Sequence, residues 1–339
     1  MHGCYSITQY TLGATFRHSR PASIKAFGRG LMYARRMKRV LVTGATGFIG
    51  RESISPLLER AFEVHALYVK EPIIGDPRVT WHKADLLDHN AGYELCATIL
   101  PTHLLHFAWH VDPKDYKTSA LNGAWKEATL ALLHAFGESG GKRAVFAGTC
   151  MEYDWMIPQD ALSENTSAIA PATIYGHAKN DTRLAAEKYA RENQLSLAWG
   201  RIFNLYGPFE SLGRLMPNVI TSLQRGKKVT ITSADRVFDY SYVRDTAGAF
   251  AALLDSDVTG AVNIASGSPV TLGEIVNTIG NIVGRTDLIE LDAGLGHQGE
   301  PDRIVADVSR LSNEVGWHPQ YDLHQGLAET IEWWKKNSS

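Results

Sequence analysis

Tyr175 and Lys179 stand four residues apart in the run Tyr175-Gly176-His177-Ala178-Lys179, and on a helix that spacing puts phenol and amine on one face. A neighbouring ammonium favours phenolate and draws a tyrosine down from its reference value of ~10. Such a phenol can exchange a proton with a sugar hydroxyl or ketone while a nicotinamide exchanges hydride. Thr149 closes the apolar run Val145-Phe146-Ala147-Gly148, where a strand of an α/β sheet presents its ligand side, and its hydroxyl suits the reacting oxygen. Alone, Tyr-x-x-x-Lys reads equally as an exposed helix face, and Thr149 as a buried threonine serving nearby backbone. Cys150 has no readable histidine partner and reads as a small packing residue rather than a nucleophile.

A third stretch lifts these residues above their bland readings. Val40-Leu41-Val42 is a short buried-strand pattern, followed by Gly44, Gly47 and Gly50 at three-residue steps, and then by Ile54, Leu57 and Leu58 at helical spacing. Strand, glycine turn and helix in that order make a dinucleotide site. Gly44 permits the turn, Gly47 lets backbone N–H groups reach a pyrophosphate, and Gly50 lets helix and strand pack closely.

The remaining chain supplies elements to hold these groups together. Further strands are expected at Glu63–Val69, Val79–His82, His103–Ala108, Arg143–Gly148 and Leu195–Arg201, with helices at Ala124–Phe136 and Ala172–Asn193. Alternating strands and helices predict an α/β fold, a Rossmann-type doubly wound parallel sheet. Past Asn204 the rhythm changes, with helices expected at Leu212–Arg225, Val243–Leu254, Thr271–Val283 and Leu323–Lys336 and strands at Lys228–Thr232 and Ala261–Ile264. The expected division is a dinucleotide-binding domain from 37–203 and 237–265 and a smaller, discontinuous α/β substrate domain from 204–236 and 266–339. Residues 1–36 carry six Lys or Arg and no acidic residue. They read as a poorly ordered extension before Met37, or alternatively as a transit peptide.

Composition narrows the partners. The 339 residues, 44% of them hydrophobic, can bury a large core, and a formal net charge of −2 speaks against general nucleic-acid binding. No apolar run reaches the ~18–20 residues of a membrane-spanning helix. Cys4, Cys96 and Cys150 are scattered and odd in number, which suits a reducing, cytoplasmic setting without disulfides or a zinc knuckle.

Taken together, the motifs resemble the extended short-chain dehydrogenase/reductases of the nucleotide-sugar epimerase/dehydratase/reductase family. The matching features are Thr43-Gly-Ala-Thr-Gly-Phe-Ile-Gly50, Asp85-Leu86, His106-Phe-Ala-Trp109, Thr149, Tyr175-x-x-x-Lys179 and Arg201-Ile-Phe-Asn-Leu-Tyr-Gly-Pro208. Asp239-Tyr240, Val243-Arg-Asp245, Val262-Asn-Ile-Ala-Ser-Gly267 and Gly316-Trp317-x-Pro319 follow in the family's order, so the likeness spans about residues 38–335. It implies a catalytic triad of Thr149, Tyr175 and Lys179, with Lys179 also on the nicotinamide ribose. It implies cofactor contacts from Gly44, Thr46, Gly47, Phe48 and Ile49 in the turn, from Asp85 and Leu86 at the adenine, and from Ala108. Trp109, Thr149 and Asn204 are implied on the substrate side, Asn204 at the diphosphate of a nucleotide sugar, with Arg303 beside it. A homodimer built on the helices at Ala124–Phe136 and Ala172–Asn193 is implied too. His103, His106 and His110 raise the thought of a metal, but His106 belongs to the strand motif and no metal is expected.

Departures sharpen the expectation. Dehydratases of the family place Asp-Glu directly after the catalytic Thr, where this chain has Cys150-Met151, so 4,6-dehydration is disfavoured. NAD-preferring relatives carry an acidic residue at the end of the second strand, where this chain has Tyr68, Val69 and Lys70. Lys70 and Arg51 could attract a 2′-phosphate, so NADP(H) is favoured, with NAD(H) open. Relatives often have Arg-Asp-Tyr where this chain has Phe238-Asp239-Tyr240, and Arg214, Arg236 or Arg303 would replace the lost charge. The leading expectation is NADPH-dependent reduction of a nucleotide-linked 4-keto-6-deoxyhexose. The rivals are an NAD-dependent 4-epimerase and a non-enzymatic scaffold of the same fold.

Overall fold

A computed structural model describes residues 38–71, 75–292 and 301–337; the expectation for residues 1–36 lies outside them. In chain order the elements are β1 (Lys38–Thr43), α1 (Gly50–Glu59), β2 (Phe62–Tyr68), β3 (Thr80–Lys83), α2 (Ala91–Ile99), β4 (His103–His106), α3 (Leu121–Glu138), β5 (Arg143–Thr149) and α4 (Ile174–Glu192). There follow β6 (Ser196–Ile202), β7 (Asn204–Tyr206), α5 (Leu215–Gln224), β8 (Val229–Thr232), β9 (Val237–Tyr242), α6 (Val243–Leu254), β10 (Gly260–Ile264) and β11 (Pro269–Thr271). The chain finishes with α7 (Leu272–Val283), β12 (Ile289–Asp292), β13 (Arg303–Ile304), α8 (Ser309–Asn313) and α9 (Leu323–Asn337).

Seven parallel strands form the central sheet in the order β10-β6-β5-β4-β1-β2-β3. Side chains alternate across each strand, so both faces need a cover. Val40, Val42 and Val145 pack with Ile54 and Leu57 of α1 and Phe250 and Leu253 of α6. Their neighbours Leu41, Leu104 and Phe146 point the other way, onto Leu132, Leu133 and Phe136 of α3 and Ala186 and Ala190 of α4. Full burial of each large apolar side chain contributes about 1.5–3 kcal/mol. One buried cation fastens the far end: Arg143 donates to the carbonyls of Leu253, Leu254 and Val258 at 2.6–3.0 Å, satisfying the last turn of α6.

The strand order reverses between β1 and β4, and that is where an open α/β sheet leaves a crevice at its carboxyl ends. The glycine turn after β1, the segment Phe107-Ala108 after β4 and Thr149 at the end of β5 all open on this side.

A second layer forms around β9, which pairs with β7, β11 and β13, while β8 pairs with β12. Its core joins Met216, Val219 and Ile220 of α5, Ile275, Val276 and Ile279 of α7, and Leu327 and Ile331 of α9. Residues 237–242 were expected with the dinucleotide-binding part; they hydrogen-bond into this second sheet, and only α6 and β10 beyond them return to the first. The helix expected from Leu212 starts at Leu215, because Gly213 has φ +99° and Arg214 is extended. Among the described residues, no helix is long and apolar enough to cross a membrane.

Candidate active site

The glycine turn is shaped by contacts that tolerate no side chain. Gly44 has φ +65°, and a Cβ there would stand 2.8 Å from the Ala108 nitrogen; one on Gly50 would stand 2.1 Å from the Gly44 carbonyl oxygen. Gly47 is exposed and donates to the Gly44 carbonyl at 2.9 Å. The first turn of α1 has no side-chain cap, so its N-terminus faces the crevice as an anion site does. Thr46 is half-buried beside Gly47, while Phe48 and Ile49 pack against the core of the second layer. These residues fit a dinucleotide pyrophosphate, since a Cβ at either glycine would fill the space the turn needs.

Beneath the turn, Thr43 Oγ1 accepts from the Ala108 N–H at 3.3 Å and meets His106 Nδ1 at 2.8 Å, while His106 Nε2 meets Thr129 Oγ1 at 2.9 Å. Complete burial pushes His106 down to about 3, so it stays neutral. The neutral ring donates from one nitrogen and accepts at the other, linking Thr43 to Thr129. His103 meets Thr102 and His110 pairs with Asp115, so the three histidines of this region face different partners.

Thr149, Tyr175 and Lys179 come together between β5 and α4. Thr173 caps α4 by accepting from the Gly176 N–H at 3.0 Å, which sets Tyr175 in the first turn. Thr149 and Tyr175 are buried, with the Thr149 hydroxyl near the phenol and accepting from the Met151 N–H at 3.2 Å. Lys179 Nζ donates to the Ala147 carbonyl at 2.8 Å and lies 3.8 Å from the Trp109 ring centre, against 5.9 Å from that of Tyr175. The electrostatics differ from expectation. Burial pushes the Tyr175 phenol up rather than down, and Lys179 is itself pushed down to about 7 by burial, against the pull of Glu152. In the chain by itself, desolvation outweighs the ammonium's attraction.

Glu152 is the residue that sequence reasoning passed over. It is fully buried; Oε1 accepts from the Thr149 N–H at 2.9 Å and from Trp199 Nε1 at 2.8 Å, and Oε2 accepts from Arg201 Nε at 2.8 Å. These bonds lock the turn that presents Thr149. Nothing in the spacing marks it out, since Asp154 stands two residues on. Cys150, pushed up to about 12 by burial, is an inert thiol at neutral pH, as is Cys96. A wall of Trp109, Met151, Tyr175 and Ala178, with Tyr116 and Trp155 packed on it, closes this part of the cleft.

The other expected positions divide. Trp109 is held by its Nε1 on Asn122 at 2.8 Å. Arg214 stacks 5.0 Å over Tyr116, which meets Tyr175 edge-on at 5.1 Å, so it joins the triad's surroundings. Asn204 opens β7 and donates to the Asp239 carbonyl. Arg236 turns to the Pro301 carbonyl, and exposed Arg303 donates to the Asp160 carbonyl at 2.7 Å; neither touches the triad in this structure. Asp85 caps its own loop by accepting from the Leu87 N–H, with Leu86 buried beside it.

The two basic residues considered for a 2′-phosphate lie in different settings. Arg51 donates to the carbonyls of Thr46 and Gly47 and lies 4.0 Å over the Phe209 ring, so its guanidinium serves the turn itself. Lys70 is exposed, and the Glu71 carboxylate stands near the Tyr68 hydroxyl at the strand end. The signal was one residue beyond the positions considered.

Comparison with known proteins agrees with this architecture. The chain is 25% identical over 312 residues to UDP-glucuronic acid decarboxylase 1 of Xenopus tropicalis, covering 88% of this chain and 72% of that protein. Among solved structures it superposes on a UDP-glucose 4-epimerase of Thermus thermophilus in complex with NAD, with TM-score 0.76, 25% identity and 88% and 99% of the two chains covered. It superposes equally on a dTDP-glucose 4,6-dehydratase of Streptomyces venezuelae with NAD bound, with TM-score 0.76, 25% identity and 88% and 97% covered. Residues 40–265 match the NAD dependent epimerase/dehydratase family, described in those words, and the chain belongs to that family.

Proposed function

We propose that this enzyme reduces C4 of a nucleoside-diphosphate-linked 4-keto-6-deoxyhexose with NADPH. The observation that carries the reading is the gathering of Thr149, Tyr175 and Lys179 beneath an apolar wall containing Met151, Trp109 and Trp155. Cys150 and Met151 offer no carboxyl to remove a proton from C5, which speaks against water loss. The wall suits a sugar whose C6 is a methyl group.

The turn from Gly44 through Thr46 and Gly47 would hold the pyrophosphate, Asp85 and Leu86 the adenine, Ala108 the cofactor backbone, and Lys70 a 2′-phosphate. A bound nicotinamide supplies the hydride. Tyr175 donates the proton to the developing O4 alkoxide, Thr149 holds that oxygen, and the charge of Lys179 favours the phenolate left behind. Asn204 and Arg214 would take the diphosphate. Exposed Leu121, Ile174 and Leu184 on α3 and α4 support a homodimer through those helices.

A second reading, NAD-dependent 4-epimerisation, is favoured by Glu71 at the end of β2 and by Arg51 facing its own turn. One experiment separates them. The purified protein is released from any bound nucleotide, and NADPH and NADH oxidation are followed with UDP- and dTDP-linked 4-keto-6-deoxyglucose. Reduction supports the first reading. Retained NAD together with interconversion of UDP-glucose and UDP-galactose supports the second.

A further inference from the structure

Lys179 carries its charge where a charge is costly to keep. It is buried between β5 and α4. Among the described residues, Nζ makes one hydrogen bond, to the Ala147 carbonyl at 2.8 Å, and no ion pair with a carboxylate. An ammonium has three donors, so most of its bonding capacity is unmet by oxygen. Glu152, the acid that pulls on it from beyond the end of β5, places its oxygens on Thr149, Trp199 and Arg201. The other ionisable neighbours are His106 on β4, which is neutral, and Tyr175 one turn earlier on α4. What stands against the ammonium is an aromatic face: Nζ lies 3.8 Å from the centre of the Trp109 ring. At that distance the negative face of an indole attracts a cation, most strongly where water is excluded.

The indole is fixed in that place. Trp109 is buried, and its Nε1 donates to Asn122 Oδ1 at 2.8 Å. Asn122 is fully buried in the first turn of α3, and its amide donates to the carbonyls of Tyr116 at 2.7 Å and Ser119 at 2.9 Å. Both donors of the amide and its oxygen are therefore in use, and the ring they orient also meets Tyr175 edge-on, at 6.5 Å between centres. Packing alone needs only a bulky apolar side chain here, whereas an aromatic face meets the cation and an indole also reaches Asn122. We propose that Trp109 is a positioning residue whose ring face, oriented by Asn122, holds the Lys179 ammonium against the end of β5 and keeps it charged beside Tyr175. The catalytic role of Lys179 rests on the ketoreductase reading above, whereas the contact of ring and ammonium is testable without substrate.

Urea unfolding at about pH 5.5 and about pH 9 compares wild-type protein with Trp109→Leu and Trp109→Phe, each with Lys179 present and with Lys179→Met. Burial holds folded Lys179 at about 7. At the lower pH it is charged when folded and the ring face stabilises it; at the higher pH it is neutral when folded and the face has no charge to attract. The folded-to-unfolded ratio lost in Trp109→Leu should therefore be about tenfold larger at the lower pH. Trp109→Phe, which keeps a ring face, should show a smaller difference. With Lys179→Met in place the loss should be equal at both pH values, which removes the contribution of every other titrating group. An equal loss at both pH values with Lys179 present overturns the proposal, as does a difference that survives Lys179→Met or a Trp109→Phe protein that matches Trp109→Leu. In NADPH oxidation with dTDP-linked 4-keto-6-deoxyglucose, Trp109→Leu should move the alkaline limb of kcat/KM down by about one pH unit. A lowered kcat/KM with the limb unmoved would show that the ring serves packing alone and overturns its assignment as a positioning residue. Wild-type protein without turnover contradicts the ketoreductase reading, and the unfolding measurements then decide the proposal by themselves.

Discussion

Tyr175 tests the chemistry at the scale of one atom. Tyr175→Phe removes only the phenolic oxygen, so the dinucleotide should bind as before while turnover drops about 10²–10⁴-fold, the usual worth of a positioned general acid. Cofactor titration and steady-state rates on the same preparation check this, and undiminished turnover would remove the assignment. Lys179 gives a stability signature. Burial holds it at about 7 when folded, against ~10.4 for an ordinary lysine. Between those values the unfolded chain binds the extra proton, so this group makes stability rise with pH across that window. The stability gained by Lys179→Met should therefore shrink between about pH 7 and about pH 9, read from urea midpoints. Thr149, Tyr175 and Lys179 stand out in the sequence because residue type and spacing mark them, whereas Arg214 is one of three arginines that the family resemblance offers. Glu152 does not stand out, because a single acid shows its burial only once strands far apart in sequence close around it.

Elements position these groups through close backbone approach. Gly44→Ala would push a methyl group against the Ala108 nitrogen at 2.8 Å from a backbone already at φ +65°. Overpacking of this kind costs about 1–3 kcal/mol, and dinucleotide affinity should fall with it, as measured by melting and by quenching of tryptophan fluorescence. Retained affinity with a normal melt would show that the turn has room to spare. Glu152→Gln leaves Arg201 buried at 2% exposure with its counter-charge removed. The expected loss is about 3–5 kcal/mol by denaturant unfolding; a loss below about 1 kcal/mol, the level of an exposed pair, would show the ion pair to be unimportant. Strand–helix alternation was readable in β1 to β6 because buried parallel strands are continuous apolar runs. α2 escaped because Gly92 and Cys96 blur its pattern, and Gly92 is there to meet Leu132 closely. β9 escaped because Phe238-Asp239-Tyr240 reads as a motif rather than as part of a strand.

At the scale of the molecule, a parallel sheet carries the dinucleotide turn and a second layer closes over the substrate side. Asp239 and Asp245 belong to that closure: Asp239 accepts from Ser266 and Gly267, and Asp245 from the backbone of Gln320 and Tyr321. The family's late motifs are therefore stitches between layers, which spacing alone does not reveal. Leu184→Glu places a charge on the exposed face of α4, where Leu184 is 50% exposed. Sedimentation should show a dimer for wild type and a monomer for the variant, and a monomeric wild type would contradict assembly through α3 and α4. The central claim is tested most directly with NADPH carrying deuterium at both C4 positions and a nucleotide-linked 4-keto-6-deoxyhexose, followed by NMR of the product. The account predicts one deuterium at C4 for each NADPH oxidised. NADPH left unoxidised with the ketone intact, or an alcohol formed without label at C4, would contradict it.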